Sequence, residues 1–472
     1  VSAIPGLSPA DPSRPSTALL TDRYELTMLD AALRSGTADH PATFEVFSRR
    51  LPEGRTHGVF AGLGRVLEAL GQFRFGPAEL AWLGEAGVVS DDTLTWLEAF
   101  RFAGDIHAYA EGELYTAGSP VLIVEATFGQ GVLLETLVLS ILNHDAAIAA
   151  AAELIVRAAG GRPIIEMGSR RTDVGAAVAA ARVAWLAGFA STSNLEAGRR
   201  YGIPTAGTAA HAFTLAYPSE VEAFTAQIEA MGPGTTLLVD TYDLEDGIRH
   251  AVEAAGPALG GIRIDSGDLA QEAARARTLL DRLGATATRV IVTGDLDDRS
   301  IASLADSPVD GFGVGTNLVT GLGMSTAGFV YKLVAVAADD LPGASQRPVA
   351  KRSPGKQSVG GRKWAWRIGA SEVPDEHDGP PPIGGGPVLI DVVLDHSDPA
   401  PAGGRPLQVQ VVAGGVIAPG PDLATSRVTH RRASDELAAL GSAATVVSVR
   451  RAPDGRSGAV AAPGLSSRPG LR

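Results

Sequence analysis

Between about residues 160 and 320 the chain settles into a repeating rhythm of short apolar runs. Each run is closed by polar residues or glycine and is followed by a helical pattern. The runs are "PIIEMGSRR", "AGFASTSN", "IPTAGTAAH", "TLLVDTYD", "GIRIDSGD", "RVIVTGDL" and "DGFGVGTN". Ser219 with Glu222, and Asp268 with Gln271, have the spacing of helix-start capping pairs. Strand alternating with helix implies parallel strands joined by right-handed crossovers. Such units without a long break predict a closed or nearly closed β/α barrel.

The flanks follow other rhythms. Residues 1–18 are rich in Pro and Ser and read as a frayed tail. Residues 19–128 read as an α/β domain. In "TDRYELTMLDAALRSG" a helical face carries Leu26, Leu29, Ala32 and Leu33, and Gly36 stops it. "ATFEVFSRRL", "DIHAYAEGELY" and "PVLIVEAT" read as strands, and "GVFAGLGRVLEALGQF" as a second helix. Residues 129–340 hold the barrel. Residues 341–450 form a C-terminal segment expected to pack on the N-terminal domain. Within it "VAKRSPGKQSVGGRKWAWR" is basic, "PVLIDVVL" and "LQVQVVAGGVIA" read as paired strands, and "ASDELAAL" as a helix. "EVPDEHDGPPPIGGGP" and "DHSDPAPAGGRP" read as loops, and residues 451–472 as a disordered tail.

Bulk properties narrow the function. The length of 472 residues calls for two or more domains. The formal net charge of -13 argues against broad nucleic-acid binding, which needs a cationic surface. The absence of cysteine removes disulfides and thiolate metal sites. The first twenty residues lack a basic region followed by an apolar run, so no signal peptide is read there. The most apolar stretch, residues 132–156, is interrupted by Glu135, Asn143, His144, Asp145 and Glu153. It reads as a buried helix and not a membrane span. A cytoplasmic protein without membrane or nucleic-acid partners is the expectation.

Each polar cluster falls at the carboxyl end of its apolar run. In a β/α barrel those ends share one face, and that face carries the active site. Glu166, Arg170, Arg171, Ser193, Asn194, Thr208, His211, Asp240, Asp243, Arg263, Asp265, Asp268, Asp295 and Thr316 are therefore expected to ring one mouth. Helix caps and wet loops also place polar residues at strand ends, which explains any single one of them about equally well. Arginine forks suit phosphate or carboxylate, and aspartates suit Mg²⁺ or ribose hydroxyls. "GVGTN" after the last run has the form of a phosphate-binding turn, or of a turn that merely needs glycine. Together these point to a phosphorylated sugar held with magnesium. His211 in "GTAAHAF" has three readings: metal ligand, packed imidazole, or nucleophile and acid/base group. No other histidine lies within about thirty residues of it, which disfavours the first.

"LLTDRYELTML", "EMGSRR", "STSN", "GTAAHAF", "VDTYD", "IRIDSGDL", "TGDLDD", "GVGTNLVT" and "VAKRSPGKQSVGGRKWAWR" occur in this order. Over about residues 18–370 the chain thereby resembles the nicotinate phosphoribosyltransferase family. The resemblance implies an irregular parallel β/α barrel of the type II phosphoribosyltransferase kind. A smaller α/β domain is made from the N- and C-terminal segments, and homodimers share active sites. The implied reaction joins nicotinate to 5-phosphoribosyl 1-diphosphate, giving nicotinate mononucleotide and diphosphate for NAD salvage. ATP is a co-substrate and Mg²⁺ the implied metal. His211 falls on the family's phosphorylated histidine, with Asp240 beside it and the metal, and Asp265 on a ribose-contacting acid. Tyr24, Thr208 and Arg263 fall on nicotinate-binding positions, Arg170 on a phosphate-binding arginine, and Gly313, Gly315 and Thr316 on the 5′-phosphate cradle.

Related nicotinamide enzymes carry an aspartate near the ring amide, where this chain has Ser193, so nicotinate is expected. Ala212 stands where many relatives have serine, which removes a hydroxyl beside the ring or phosphate. Another pyridine phosphoribosyltransferase, an enzyme of another phosphorylated sugar, or a non-catalytic nucleotide-binding relative are the alternatives.

Overall fold

The computed structural model describes residues 15–52, 55–341, 343–351, 353, 358–368, 388–419, 422–441, 445–451 and 457–459. The chain forms two compact units. One is residues 148–325, and the other combines residues 1–147 with residues 326–472.

The 148–325 unit is built on six parallel strands. Across the sheet they run Ser191–Thr192, Ile164–Glu166, Gly311–Val314, Arg289–Val292, Gly261–Ile264, Thr236–Leu238. A single parallel bridge, Thr192 to Thr205, extends one edge. This is the sequential order of a barrel, with one gap between the Thr205 bridge and the Thr236 strand. The predicted barrel is thus present as an incomplete one. The third apolar run, "IPTAGTAAH", contributes one bridge in place of a strand, because Pro204 lacks an N–H and the small residues Ala206, Gly207, Ala209 and Ala210 follow. Ile262 and Ile264 are fully buried while Arg263 between them is half-buried, the alternation of a strand with unlike faces. The caps behave as read: Ser219 accepts from Glu222 N–H and Asp268 from Gln271 N–H.

Among the described residues the other unit holds a two-stranded pair, Gly58–Val59 with Leu114–Tyr115, and two larger sheets. The larger is antiparallel: Gln346–Pro348, Phe329–Ala337, Pro41–Ser48, Leu122–Thr127, Asp105–Tyr109, Gln408–Ala413, Val416–Ile417. Phe44, Val46, Ile106, Leu122 and Val124 from its central strands join Leu63, Leu67 and Leu137 from helices in one core. The smaller sheet runs Arg405–Pro406, Lys363–Ile368, Val388–Asp395, Thr445–Arg451, Ser457–Ala459. Within this unit Gln408–Ala413 of the C-terminal segment pairs with Asp105–Tyr109 of the N-terminal one.

Several boundaries differ from those read in the sequence. The strand Phe329–Ala337 was assigned to the barrel, yet it pairs with Pro41–Ser48. The helix Glu135–Ala159 runs unbroken across the border between the units, so no composition change marks it. The longer helical stretch Phe128–Ala159 that contains it is long and apolar enough to cross a membrane, and 67% of its most apolar window is buried inside the protein. The strands 388–395 and 408–413 lie in different sheets and do not pair with each other. The "ASDELAAL" helix begins ten residues earlier, at Leu423, where Asp422 accepts from Thr425 N–H. Residues 16–18 are packed, not frayed: the Ser16 hydroxyl donates to Arg74 O, Thr17 N–H donates to Gln72 O, and Ala18 is fully buried. Residues 457–459, read as tail, pair with 449–451. The rest of both tails, and the "EVPDEHDGPPPIGGGP" loop, lie outside the described residues.

Candidate active site

The strand ends of the 148–325 unit bring the acids and arginines together. The Asp265 N–H and the Ser266 hydroxyl both donate to Asp240 Oδ2, each at 2.8 Å. Asp240 Oδ1 is buried and has no hydrogen-bond partner among the described residues. The Thr293 hydroxyl donates to Asp265 Oδ1, so the ends of three adjacent strands are laced by one carboxylate pair.

Arg263 donates through Nη1 to the Thr208 hydroxyl, while its Nε is buried without a partner. Burial and the neighbouring charge of Arg170 pull the Arg263 pKa down, against the pull of Asp265 and Asp240. The guanidinium stays charged regardless. A buried fork with a spare donor, beside a second cation, is built for an anion.

His211 is the first residue of the short helix His211–Leu215 and is half-buried. Its Nδ1 lies 3.1 Å from Thr241 Oγ1, on the turn that also carries Asp240. Nε2 makes no hydrogen bond among the described residues.

Glu166, at the end of its strand, is fully buried. Oε1 accepts from Gly168 N–H at 2.5 Å and Oε2 from the Thr192 hydroxyl at 2.5 Å. Ser193 is half-buried, and its N–H donates to Glu166 O at 2.8 Å. A cleft of about 530 Å³ opens here, lined by Ser169, Val174, Val178, Ser193, Asn194 and Leu195. It holds none of His211, Asp240 or Arg263.

At the end of Gly311–Val314, Gly313 is required by crowding. A Cβ there would stand 2.5 Å from Thr293 Cγ2 and 2.7 Å from Met167 Sδ. A Cβ on Gly315 would stand 3.1 Å from Met167 O. Thr316 starts the one-turn helix Thr316–Val319.

Of the expected rim, the side chains of Arg170, Arg171, Asp243, Asp268 and Asp295 are on exposed residues. Asp243 and Asp268 cap helices, accepting from Asp246 and Gln271 N–H, as the capping alternative anticipates. Asp295 meets the site through its backbone, since Asn317 Nδ2 donates to Asp295 O at 3.0 Å. Tyr24 belongs to the other unit. It lies in the first turn of Arg23–Ser35, 45% exposed, its phenol pushed up to about 12 by partial burial, Glu135 and Glu25. The sequence reading missed Thr192, Thr241, Ser266 and Thr293. Each lies within two residues of a named site residue, but a strand-end hydroxyl alone cannot be told from a turn residue.

Comparison with known proteins gives the family. Residues 19–143 match the model of the nicotinate phosphoribosyltransferase N-terminal domain, and residues 163–376 match that of the nicotinate phosphoribosyltransferase family. Nicotinate phosphoribosyltransferase pncB1 of Mycobacterium tuberculosis is 58% identical over 381 residues, 79% of this chain and 83% of that protein. The chain belongs to the nicotinate phosphoribosyltransferase family. The Bacillus subtilis nicotinate phosphoribosyltransferase is 38% identical over 357 residues, covering 73% of each chain. The solved human nicotinic acid phosphoribosyltransferase superposes with a TM-score of 0.73 at 25% identity, covering 89% of this chain and 94% of that one. A Pyrococcus furiosus nicotinate-nucleotide pyrophosphorylase, at 22% identity, has the same fold with a TM-score of 0.71.

Proposed function

We propose that this chain transfers the phosphoribosyl group of 5-phosphoribosyl 1-diphosphate to the ring nitrogen of nicotinate. The carbon–oxygen bond to diphosphate breaks, its electron pair leaving with diphosphate, and the pyridine nitrogen supplies the pair for the new bond. The nitrogen is already a nucleophile, so no strong base is needed. The observation that carries this reading is the pair of buried, unpartnered polar atoms at one mouth, Arg263 Nε and Asp240 Oδ1. One is a donor awaiting an anion and the other an acceptor awaiting a cation or hydroxyl. Family membership supplies the two substrates that match them.

Arg263 and Thr208 hold the nicotinate carboxylate, and Ser193 adds no negative charge to repel it. Arg170 neutralises phosphate oxygens, and the Gly313–Thr316 turn cradles the 5′-phosphate. Tyr24, kept protonated, supplies a hydroxyl donor toward the ring in a homodimer with shared sites. Asp265 stands near the ribose, where positive charge grows in the transition state. Asp240 fits a magnesium ion through Oδ1, since a hard cation takes oxygen ligands and accepts waters and substrate oxygens for the remainder. When bound, the ion neutralises the leaving diphosphate.

ATP enters through His211. Thr241 engages Nδ1, leaving Nε2 to attack the γ-phosphorus, with ADP as leaving group. The phosphoryl group adds about two negative charges at the mouth until water removes it as phosphate. ATP labelled in its γ-phosphate tests this step. Acid-labile label is expected on the wild-type protein and none on His211→Ala. Label that persists on the variant contradicts the assignment.

A further inference from the structure

We infer that Glu166 is a positioning residue for the transferase. Its buried carboxylate ties together the two loops that carry Arg170 and Ser193, and the Thr192 it holds is paired through its backbone with the segment that leads to His211, so that Glu166 sets the geometry of the mouth. The inference rests on the transferase reading and not on the phosphohistidine step.

The first loop follows Glu166 directly. Gly168 N–H closes onto Glu166 Oε1, which turns the chain sharply toward Ser169 and Arg170. A Cβ on Gly168 would strike Val319 Cγ1 and lie 3.1 Å from Gly315 O, so this turn is seated against the glycine turn after Val314. Met167 N–H donates to Val314 O at 2.8 Å and completes that seat.

The second loop is held through Thr192, itself fully buried. Its hydroxyl donates to Glu166 Oε2 and accepts from Asn194 N–H at 2.9 Å. Asn194 Nδ2 reaches back to Ser169 Oγ at 3.0 Å, and Ser193 N–H donates to Glu166 O. The hydrogen bonds form a closed ring between the two loops, with Glu166 on both sides of it.

A third segment pairs with the same threonine. Thr192 N–H donates to Pro204 O at 3.0 Å and Thr192 O accepts from Ala206 N–H at 2.9 Å. The chain then leads through Thr208, the partner of Arg263, into His211.

The choice of a carboxylate is telling. Glu166 makes no ion pair among the described residues, and burial pushes its carboxyl up. A buried charge without a counter-charge is costly for stability. A carboxylate accepts through one oxygen from the Gly168 N–H and through the other from the Thr192 hydroxyl, whereas an amide has one acceptor oxygen and turns an N–H to the other partner.

The test compares Glu166→Gln, Thr192→Val and Thr192→Ser with the wild type. It measures kcat and KM, calorimetric Kd for 5-phosphoribosyl 1-diphosphate, and Tm. Glu166→Gln and Thr192→Val are expected to raise KM and Kd for 5-phosphoribosyl 1-diphosphate by about tenfold or more, the scale of one lost charged hydrogen bond. Thr192→Ser, which restores the hydroxyl, should lie within about twofold of wild type, since the ring reforms. Because burial raises the Glu166 carboxyl above its unfolded value, its charge costs stability where it is ionised, and that cost falls away on acidification. Glu166→Gln should therefore keep its Tm, with any advantage over wild type shrinking as the pH is lowered. Wild-type KM and Kd in the folded variants would overturn the inference. So would a drop in Tm and active fraction with KM and Kd unchanged, the pattern of a merely structural residue. The Kd arm is independent of turnover. A wild-type protein that binds 5-phosphoribosyl 1-diphosphate but forms no product counts against the transferase reading, while the variants' Kd still decides the role of Glu166.

Discussion

A buried donor without an acceptor costs about 1–3 kcal/mol, and the Arg263 Nε carries that cost in the ligand-free chain. Asp240 Oδ1 carries the matching cost as an acceptor. Strand-end position placed Arg263, Asp240, Asp265 and His211 in the expected rim with ten other polar residues, because polar residues there break an apolar rhythm, and only the family resemblance gave these four their roles. It was not enough to find Thr192 or Thr241, whose hydroxyls act through Glu166 and His211 and look like any turn residue. Nor did it separate Asp243 and Asp268, which cap helices, from the acids that face one another. Ser193 offers the clearest residue-scale prediction. Ser193→Asp places a second negative charge beside the proposed nicotinate carboxylate, so kcat/KM for nicotinate should fall by about tenfold or more while nicotinamide is spared. Steady-state kinetics with both pyridines reads this. An unchanged ratio removes Ser193 from the pocket.

At the scale of elements, apolar runs with glycine punctuation predict the parallel strands well, because both faces of such a sheet are covered. The weak third run shows the limit. A proline and small residues leave too few donors and too little side chain for a strand, and a single bridge results. The helix Leu423–Ala438 began earlier than read because "RVTHRR" shows little apolar contrast, while its cap, Asp422, lies before it. One cap works at a distance. Asp30, on the helix Arg23–Ser35, accepts from Ser90 N–H at 2.9 Å, Ser90 Oγ at 2.5 Å and Thr93 Oγ1 at 2.7 Å. It thereby serves the start of Asp91–Ala99, whose own N-cap side chain makes no cap. These bonds hold the Asp30 carboxyl well below the usual carboxylate range. Its stabilisation is thus complete above the unfolded value of about 4 and is lost as pH falls below it. Asp30→Ala should cost about 1–2 kcal/mol in urea unfolding at pH 7, and the gap from wild type should narrow below about pH 4. A gap that widens on acidification contradicts this role.

At the scale of the whole molecule, the least legible fact was how the chain returns on itself. Phe329–Ala337 lies beside Pro41–Ser48, and local periodicity carries no information about a partner so distant in sequence. The return is fixed by side chains as well. Arg367 bonds Asp391 through Nε at 2.9 Å and Glu113 through Nη1 at 2.5 Å, all three fully or almost fully buried. Burial opposes the charge on Glu113, but Arg367, Arg405 and Arg432 together hold its carboxyl below the usual range. The basic patch that carries Arg367 was legible as composition, whereas its buried partners were not. The incomplete barrel, the acids and arginines at its mouth, and membership of the family converge on one central claim, phosphoribosyl transfer to nicotinate. The most direct measurement is product formation from 5-phosphoribosyl 1-diphosphate with nicotinate, nicotinamide or quinolinate, each with and without ATP. The account predicts nicotinate mononucleotide from nicotinate, in higher yield with ATP, and little from the other two. Product from nicotinamide but not nicotinate, or from none of the three, would contradict it.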